Sequence, residues 1–226
     1  MLKRTAAVVT ALLPLALLVS CGSGDGGDDG GKDATGASGD TVTCEYPASG
    51  EAAKEVDAPP AQAPSTGTVG VTLTTNRGDI GLTLDREAAP CTVNSFVSLA
   101  EQGFYDDSPC PRLGARDGFA ILQCGDPSGT MGGGPGYTFA DELTGEETYP
   151  GGTIAMANAG PDTNGSQFFL VYDDSNFPAA YTVFGTIDDA GIAVLEKVGR
   201  AGDDGSIAAG GGAPNTPVDI KKVTVS

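Results

Sequence analysis

Apolar and polar residues alternate through VTLTTNRGDIGLTLD, residues 71–85. Val71 and Leu73 precede Asn76-Arg77-Gly78, and Ile80, Leu82 and Leu84 follow it. A period of two on both sides of a turn predicts two strands. At Pro90 the period changes. Val93, Phe96, Val97 and Ala100 recur at i, i+3, i+4 and i+7, which predicts a helix that starts at the proline and stops at Gly103. Short apolar segments then resume. Arg112-Leu113, Ala120–Gln123, Thr153–Ala157, Phe168–Tyr172 and Thr182–Ile187 are strand candidates, with glycine-rich sequence filling 125–136. Ile192, Leu195 and Val198 define one face of a second helix near 190–198, and VDIKKVTVS ends the chain as a strand. Many strands with two isolated helices predict a mainly β domain, an antiparallel barrel or sandwich with helices over its ends. No internal repeat is visible.

The pattern fails before residue 68. Lys3 and Arg4 precede an apolar run from Ala6 to Val19, interrupted by Pro14. The run is too short to span a bilayer and has the layout of a signal peptide. It ends Leu18-Val19-Ser20-Cys21-Gly22, which resembles a bacterial lipobox. That resemblance implies cleavage before Cys21 and acylation, palmitate included, of its thiol and amine. An ordinary signal peptide cleaved nearby would leave Cys21 a plain cysteine. GSGDGGDDGGKDATGASGD follows and has too few apolar residues to fold, so 21–67 is expected to be a flexible acidic tether stiffened by VDAPPAQAP. CEYP at 44–47 is a candidate to dock on the domain. The organisation expected is a signal peptide at 1–20, the tether at 21–67 and a folded domain at 68–226. The expected location is the extracytoplasmic face of the cell membrane, reached through a lipid anchor.

Composition removes several kinds of chemistry. Twelve Lys and Arg against thirty Asp and Glu give a net charge of −18, which argues against a nucleic-acid partner. The chain contains no histidine, so Ser-His-Asp and Cys-His nucleophiles and HExxH metal sites are excluded. Besides Cys21 there are Cys44, Cys91, Cys110 and Cys124. An even number in an exported chain points to disulfides. Four cysteines allow three pairings. Cys110 and Cys124 flank a predicted hairpin, which favours 110–124 with 44–91. No pair has CxxC spacing, so neither a metal nor any other cofactor is expected. Nothing in the sequence signals oligomerisation, and a monomer is expected.

Residues 156–169 read MANAGPDTNGSQFF. Together with Gln123-Cys124-Gly125-Asp126 and Val183-Phe184-Gly185, this stretch resembles the cyclophilin family of peptidyl-prolyl isomerases. The order of strand pair, helix, PRL, QCGD, glycine loop, SQFF, VFG, helix and final strand agrees over about 68–226. The resemblance implies a closed eight-stranded antiparallel barrel with two capping helices. It also implies catalysed rotation about X–Pro bonds in exported polypeptides, a reaction that needs no histidine because no covalent bond breaks. It puts the catalytic arginine at Arg112 and the floor of a proline pocket at Phe169. Gln123 and Gln167 become polar walls, Ala157 and Asn158 a backbone-binding edge, and Ile121, Phe177 and Tyr181 pocket residues. Phe168, one place out of phase with Phe169, is expected in the core.

The chain departs from the family pattern in places. A pocket phenylalanine aligns with Ala120, with Phe119 one place earlier. Ile121 replaces a methionine, Asn176 a tryptophan that contacts cyclosporin, Phe177 a leucine and Tyr181 a histidine. Met131 stands in place of a glycine, and the segment between Arg112 and Gln123 is longer than usual. These changes imply weak cyclosporin sensitivity and altered selectivity before proline. Ala120 and Met131 also keep an alternative open, a proline-peptide-binding chaperone or adhesion module with little isomerase activity, although Arg112, Gln123, Asn158 and Phe169 stay in place.

Overall fold

The computed structural model describes residues 40–226. The signal peptide, Cys21 and residues 22–39 of the expected tether lie outside the described residues. Chain order begins with β1 (Thr41–Thr43) and β2 (Gln62–Pro64), which pair as a small ribbon. The predicted hairpin follows as β3 (Thr68–Thr75) and β4 (Gly78–Asp85), in register from Thr68↔Asp85 to Thr75↔Gly78. Helix α1 (Pro90–Glu101) starts at its proline, whose missing N–H and fixed φ suit the first helical turn. The carboxylate of Glu142, far along the chain, accepts from the N–H groups of Cys91 and Thr92 at 2.9 and 2.8 Å. It caps a helix that has no side-chain cap of its own.

The remaining elements are β5 (Ser108–Pro109), β6 (Arg112–Arg116), β7 (Phe119–Cys124), β8 (Thr153–Met156), β9 (Phe168–Val171), β10 (Val183–Ile187), α2 (Asp189–Ala201) and β11 (Asp219–Val225). Asp188 caps α2, accepting from the Gly191 N–H. Nine strands form one antiparallel sheet in the order β5-β11-β3-β4-β10-β8-β9-β7-β6. The mainly β class with two helices therefore stands. The expected ladder of eight strands is instead one of nine. Its two end strands, β5 and β6, are separated in the chain only by Cys110 and Pro111. The sheet curls until its edges meet in the chain itself, and Cys110–Cys124 ties that junction to the end of β7.

The inner face of the sheet carries the core. Leu73, Leu84, Leu122, Ile154, Leu170 and Phe184 are buried there. Helix α1 lays Phe96 across it, with ring centroids 5.4 Å from Phe168 and 5.6 Å from Phe184. Each such fully buried side chain contributes about 1.5–3 kcal/mol. Phe168 is core, as its phase requires.

The expected domain boundary at Thr68 moves. Residues 40–67 belong to the same compact unit as the rest. Cys44 is bonded to Cys91, so both disulfides follow the favoured pairing. Tyr46 sets its ring edge-on to Tyr137 and Phe139 at 5.5 and 5.6 Å and donates its hydroxyl to the Cys91 carbonyl at 2.8 Å. Burial pushes the Tyr46 hydroxyl pKa up to about 12. Further on, Ala48 bridges Tyr137 and Ala52 bridges Gly134. This segment has no apolar period because a few anchors on distant elements hold it, not a face of its own.

Candidate active site

Side chains on adjacent antiparallel strands align in rows. One row on the outer face runs Arg112, Gln123, Phe169, Ala155 and Val183 across β6, β7, β9, β8 and β10. The next runs Gly114, Ile121, Val171 and Thr153, and a third begins Arg116, Phe119. The outer face thus gathers Arg112, Arg116, Phe119, Gln123 and Phe169, while Leu122 and Cys124 turn inward. A groove of about 500 Å³ opens here, with Arg112, Phe119, Phe169, Phe177, Tyr181 and Asn158 among its walls.

Phe169 is nearly buried and forms part of an aromatic cluster. Phe177 stacks on it at 6.0 Å, and Tyr181 meets it edge-on at 5.5 Å. Tyr149, which the sequence did not single out, holds the segment that carries both. Its hydroxyl accepts from the Tyr181 N–H at 3.0 Å and donates towards the carbonyls of Tyr181 and Pro178 at 3.1 and 3.2 Å. The only sequence cue is a lone aromatic just before Pro150-Gly151-Gly152.

Arg112 is half-buried and held entirely by neutral acceptors. Its Nε donates to the Gly210 carbonyl at 2.9 Å, its Nη2 to the Ala209 carbonyl at 3.3 Å and its Nη1 to Gln123 Oε1 at 3.1 Å. Burial lowers its pKa from the ordinary value, Tyr181 opposes this and Arg116 adds to it. A guanidinium stays charged nonetheless. The two carbonyls come from a loop between α2 and β11 that pairs with the outer edge of β6, where Leu113 and Gly212 exchange hydrogen bonds of 2.8 and 3.0 Å. Gly210 and Gly211 sit there at φ 106° and 76°, a region that favours glycine.

Because Arg112 only donates, it fixes the amides next to it. Gln123 must offer Oε1 to Arg112, so its Nε2 faces Gln167 Oε1 at 2.8 Å. Gln167 Nε2 then reaches the carbonyls of Met131 and Gly133, both at 3.0 Å. The chain of amides links Arg112 to the glycine loop. That loop is anchored by Asp126. Burial acts to raise the Asp126 pKa, but hydrogen bonds from Ser128, Gly133 and Thr130 outweigh it and hold the carboxyl below its usual range. Met131 occupies the left-handed region at φ 63°, so the backbone keeps a glycine conformation where the side chain has changed.

The sequence-predicted residues converge, with differences. Arg112, Gln123, Ala157, Asn158, Phe169, Phe177 and Tyr181 line the groove. Ile121 is fully buried and supports Phe169 from beneath instead of lining the groove. Gln167 lines a neighbouring hollow of about 400 Å³, shared with Gln123, Ala157 and Asn158. The Asn158 side chain is occupied, donating to the Ala180 carbonyl at 2.8 Å. No hydrogen bond among the described residues engages its main-chain N–H or carbonyl. Those two groups are a free main-chain edge beside the groove.

Ala120 is out of phase with Gln123 and faces away from the groove, whereas Phe119 is in phase and lines it. The added length between Arg112 and Gln123 is a hairpin turning at Asp117-Gly118. Its Phe119 ring lies across Gly114, where any Cβ would collide with it. The ring stands beneath two guanidinium groups, with Arg112 Cζ 5.2 Å and Arg116 Cζ 4.9 Å from its centroid.

Residues 70–225 match the family described as cyclophilin type peptidyl-prolyl cis-trans isomerase/CLD. A probable peptidyl-prolyl cis-trans isomerase B of Mycobacterium tuberculosis is 47% identical over 203 residues, covering 80% of this chain and 63% of that protein. The chain thus spans less than two thirds of that relative's length. Isomerase A of the same species is 40% identical over 177 residues, covering 70% of this chain and 93% of that one. A Cryptosporidium parvum isomerase of the cyclophilin type, crystallised in the presence of the dipeptide Ala-Pro, superposes with a TM-score of 0.60 at 32% identity. That match covers 70% of this chain and 98% of the other.

Proposed function

This chain belongs to the cyclophilin family, and from that premise we propose that it is a peptidyl-prolyl cis-trans isomerase acting on exported polypeptides. One observation carries the mechanism. A permanently charged guanidinium, bound only by neutral acceptors, stands at the rim of a groove lined by Phe169 and bordered by a free main-chain edge. Rotation about a peptide bond faces a barrier of about 18–20 kcal/mol because the nitrogen lone pair is delocalised into the carbonyl. In the twisted amide that lone pair returns to nitrogen and accepts a hydrogen bond. Arg112 offers the donor, Phe169 and Phe119 hold the ring, and Asn158 holds the chain beside it. The contact strengthens only as the amide twists, which is the condition for a rate enhancement.

The test is an isomerisation assay on short X-Pro peptides with the full-length protein. The expected result is a rate well above buffer. A rate equal to buffer with demonstrable peptide binding would favour the proline-peptide-binding chaperone or adhesion module instead. The position of Phe119 weakens that second reading, since the pocket aromatic it took to be lost is present from the neighbouring position.

Gly114 gives a further expected outcome. Gly114→Ala pushes the Phe119 ring off its seat, and kcat/KM should fall roughly 10-fold, within the range for a misfilled apolar pocket. The same substitution in a Phe119→Ala background should have a smaller further effect, left by the residue 119 carbonyl, which a Cβ on Gly114 would approach to 2.9 Å. Equal losses in both backgrounds would show that Gly114 acts on something other than the ring.

The proposed setting is the extracytoplasmic face of the cell membrane, with Cys21 carrying the acyl chains. Mass spectrometry of the mature N-terminus checks this, and an unmodified Cys21 would remove the anchor.

A further inference from the structure

The chain has far more acidic than basic groups, 30 against 12. Among the described residues the only ion pairs are Arg200–Glu196 and Lys221–Asp219. Arg112 and Arg116 therefore lie at the same groove, each over the Phe119 ring, and neither is matched by a carboxylate. Arg116 is exposed, four residues along β6 from Arg112 and on the same face. Its guanidinium is confined between the ring and the loop that holds Arg112: a Cβ on Gly210 would approach its Nη2 to 2.6 Å. Asp117 lines the same mouth, and Asp173 and Glu196 border the hollow on its far side, but none forms an ion pair with Arg116.

Among the described residues neither guanidinium has a carboxylate partner, so together they leave a positive spot at the groove of a chain whose net charge is −18. The proposed catalysis accounts for Arg112. It does not use Arg116, which belongs to the extended hairpin and not to the amide network. We propose that Arg116 is a specificity-determining residue that selects polypeptide segments with an acidic residue beside the proline. This rests on the isomerase reading of the groove and adds the substrate class. The mechanism is short-range. A carboxylate entering the mouth meets a planar, pre-seated fork of donors, held by the Phe119 ring and needing little reordering on binding.

The experiment uses the full-length protein and matched tetrapeptides with Glu, Gln or Lys at the residue before proline, and a second set with the change after it. In at least one placement the Glu peptide should have a kcat/KM about three- to five-fold above its Gln analogue, the size of a partly exposed ion pair. The Lys peptide should fall below Gln, and added salt should shrink the preference. Arg116→Gln should bring the Glu-to-Gln ratio close to one, Arg116→Lys should keep part of it, and Asp117→Asn should raise it. A wild-type ratio of one in both placements, or a ratio unchanged by Arg116→Gln, overturns the proposal. Should the wild type accelerate none of the peptides, the isomerase reading fails separately. Calorimetric binding of the same peptides, with the same variants, then decides whether the charge preference exists.

Discussion

Replacing Arg112 with alanine is expected to reduce kcat/KM for X-Pro isomerisation by about 10²- to 10³-fold, the usual loss for one positioned transition-state donor. The loss should fall on kcat. Arg112 is proposed to contact the prolyl nitrogen only when the amide is twisted, so ground-state binding changes little. The fold should survive, because Arg112 is half-exposed and the Gly210 and Ala209 carbonyls it leaves are open to water. Arg112→Lys should recover little activity. A lysine reaches with a single point and cannot satisfy Gly210, Gln123 and the substrate together from one fixed fork. An alanine variant within three-fold of wild type would remove Arg112 from the mechanism and leave the groove as a binding surface.

The second large effect concerns residues 40–67. Cys44–Cys91 closes a loop across 47 positions, and a cross-link of that length stabilises by about 4 kcal/mol in the chain-entropy account. Cys44→Ser with Cys91→Ser should lower the melting temperature by about ten degrees. Limited proteolysis should then cut first between 48 and 61, which is held by single contacts such as Ser49 N–H to Gly136 and Asn94 to the Pro60 carbonyl and contains no strand of its own. A fragment starting at Thr68 should do worse. It loses Tyr46 from the surface of Tyr137 and Phe139, and it leaves Cys91 without its partner. An unchanged melting curve and an unchanged cleavage pattern would mean that the segment adds nothing to the domain.

Much of this molecule is legible in its residue order, and the exceptions have physical causes. The β3–β4 hairpin and both helices follow from period, with Pro90 and Gly103 bounding the first helix. The outer-face constellation follows from register. Phe119, Ile121 and Gln123 share parity on β7, so simple alternation would have put Phe119 in the groove where alignment by position pointed to Ala120. The docking of CEYP and the Cys44–Cys91 bond were legible, but the rest of the N-terminal segment was not, because single contacts such as Ser49 N–H to the Gly136 carbonyl and Ala53 N–H to the Gly134 carbonyl hold it to distant elements. No local pattern records such contacts. The carbonyls of Ala209 and Gly210 were missed for a different reason. Main-chain groups carry no side-chain identity, and AAGGGAP reads as slack sequence until its backbone is seen to fold onto β6. Tyr149 was missed because its work is done by one hydroxyl on a distant turn.

The position of β11 sets a timetable. The last strand pairs with the first long one, Val225 with Val71 and Val223 with Leu73, and β5 in turn pairs with β11. A chain delivered from its N-terminus therefore holds one edge of its β3–β4 hairpin open until residues 219–225 arrive. Sheets sealed by such distant pairs form slowly, and their open edges are exposed to other chains meanwhile. Loss of β11 would leave the main-chain edge of β3 at Val71 and Leu73 unpaired in an otherwise complete sheet.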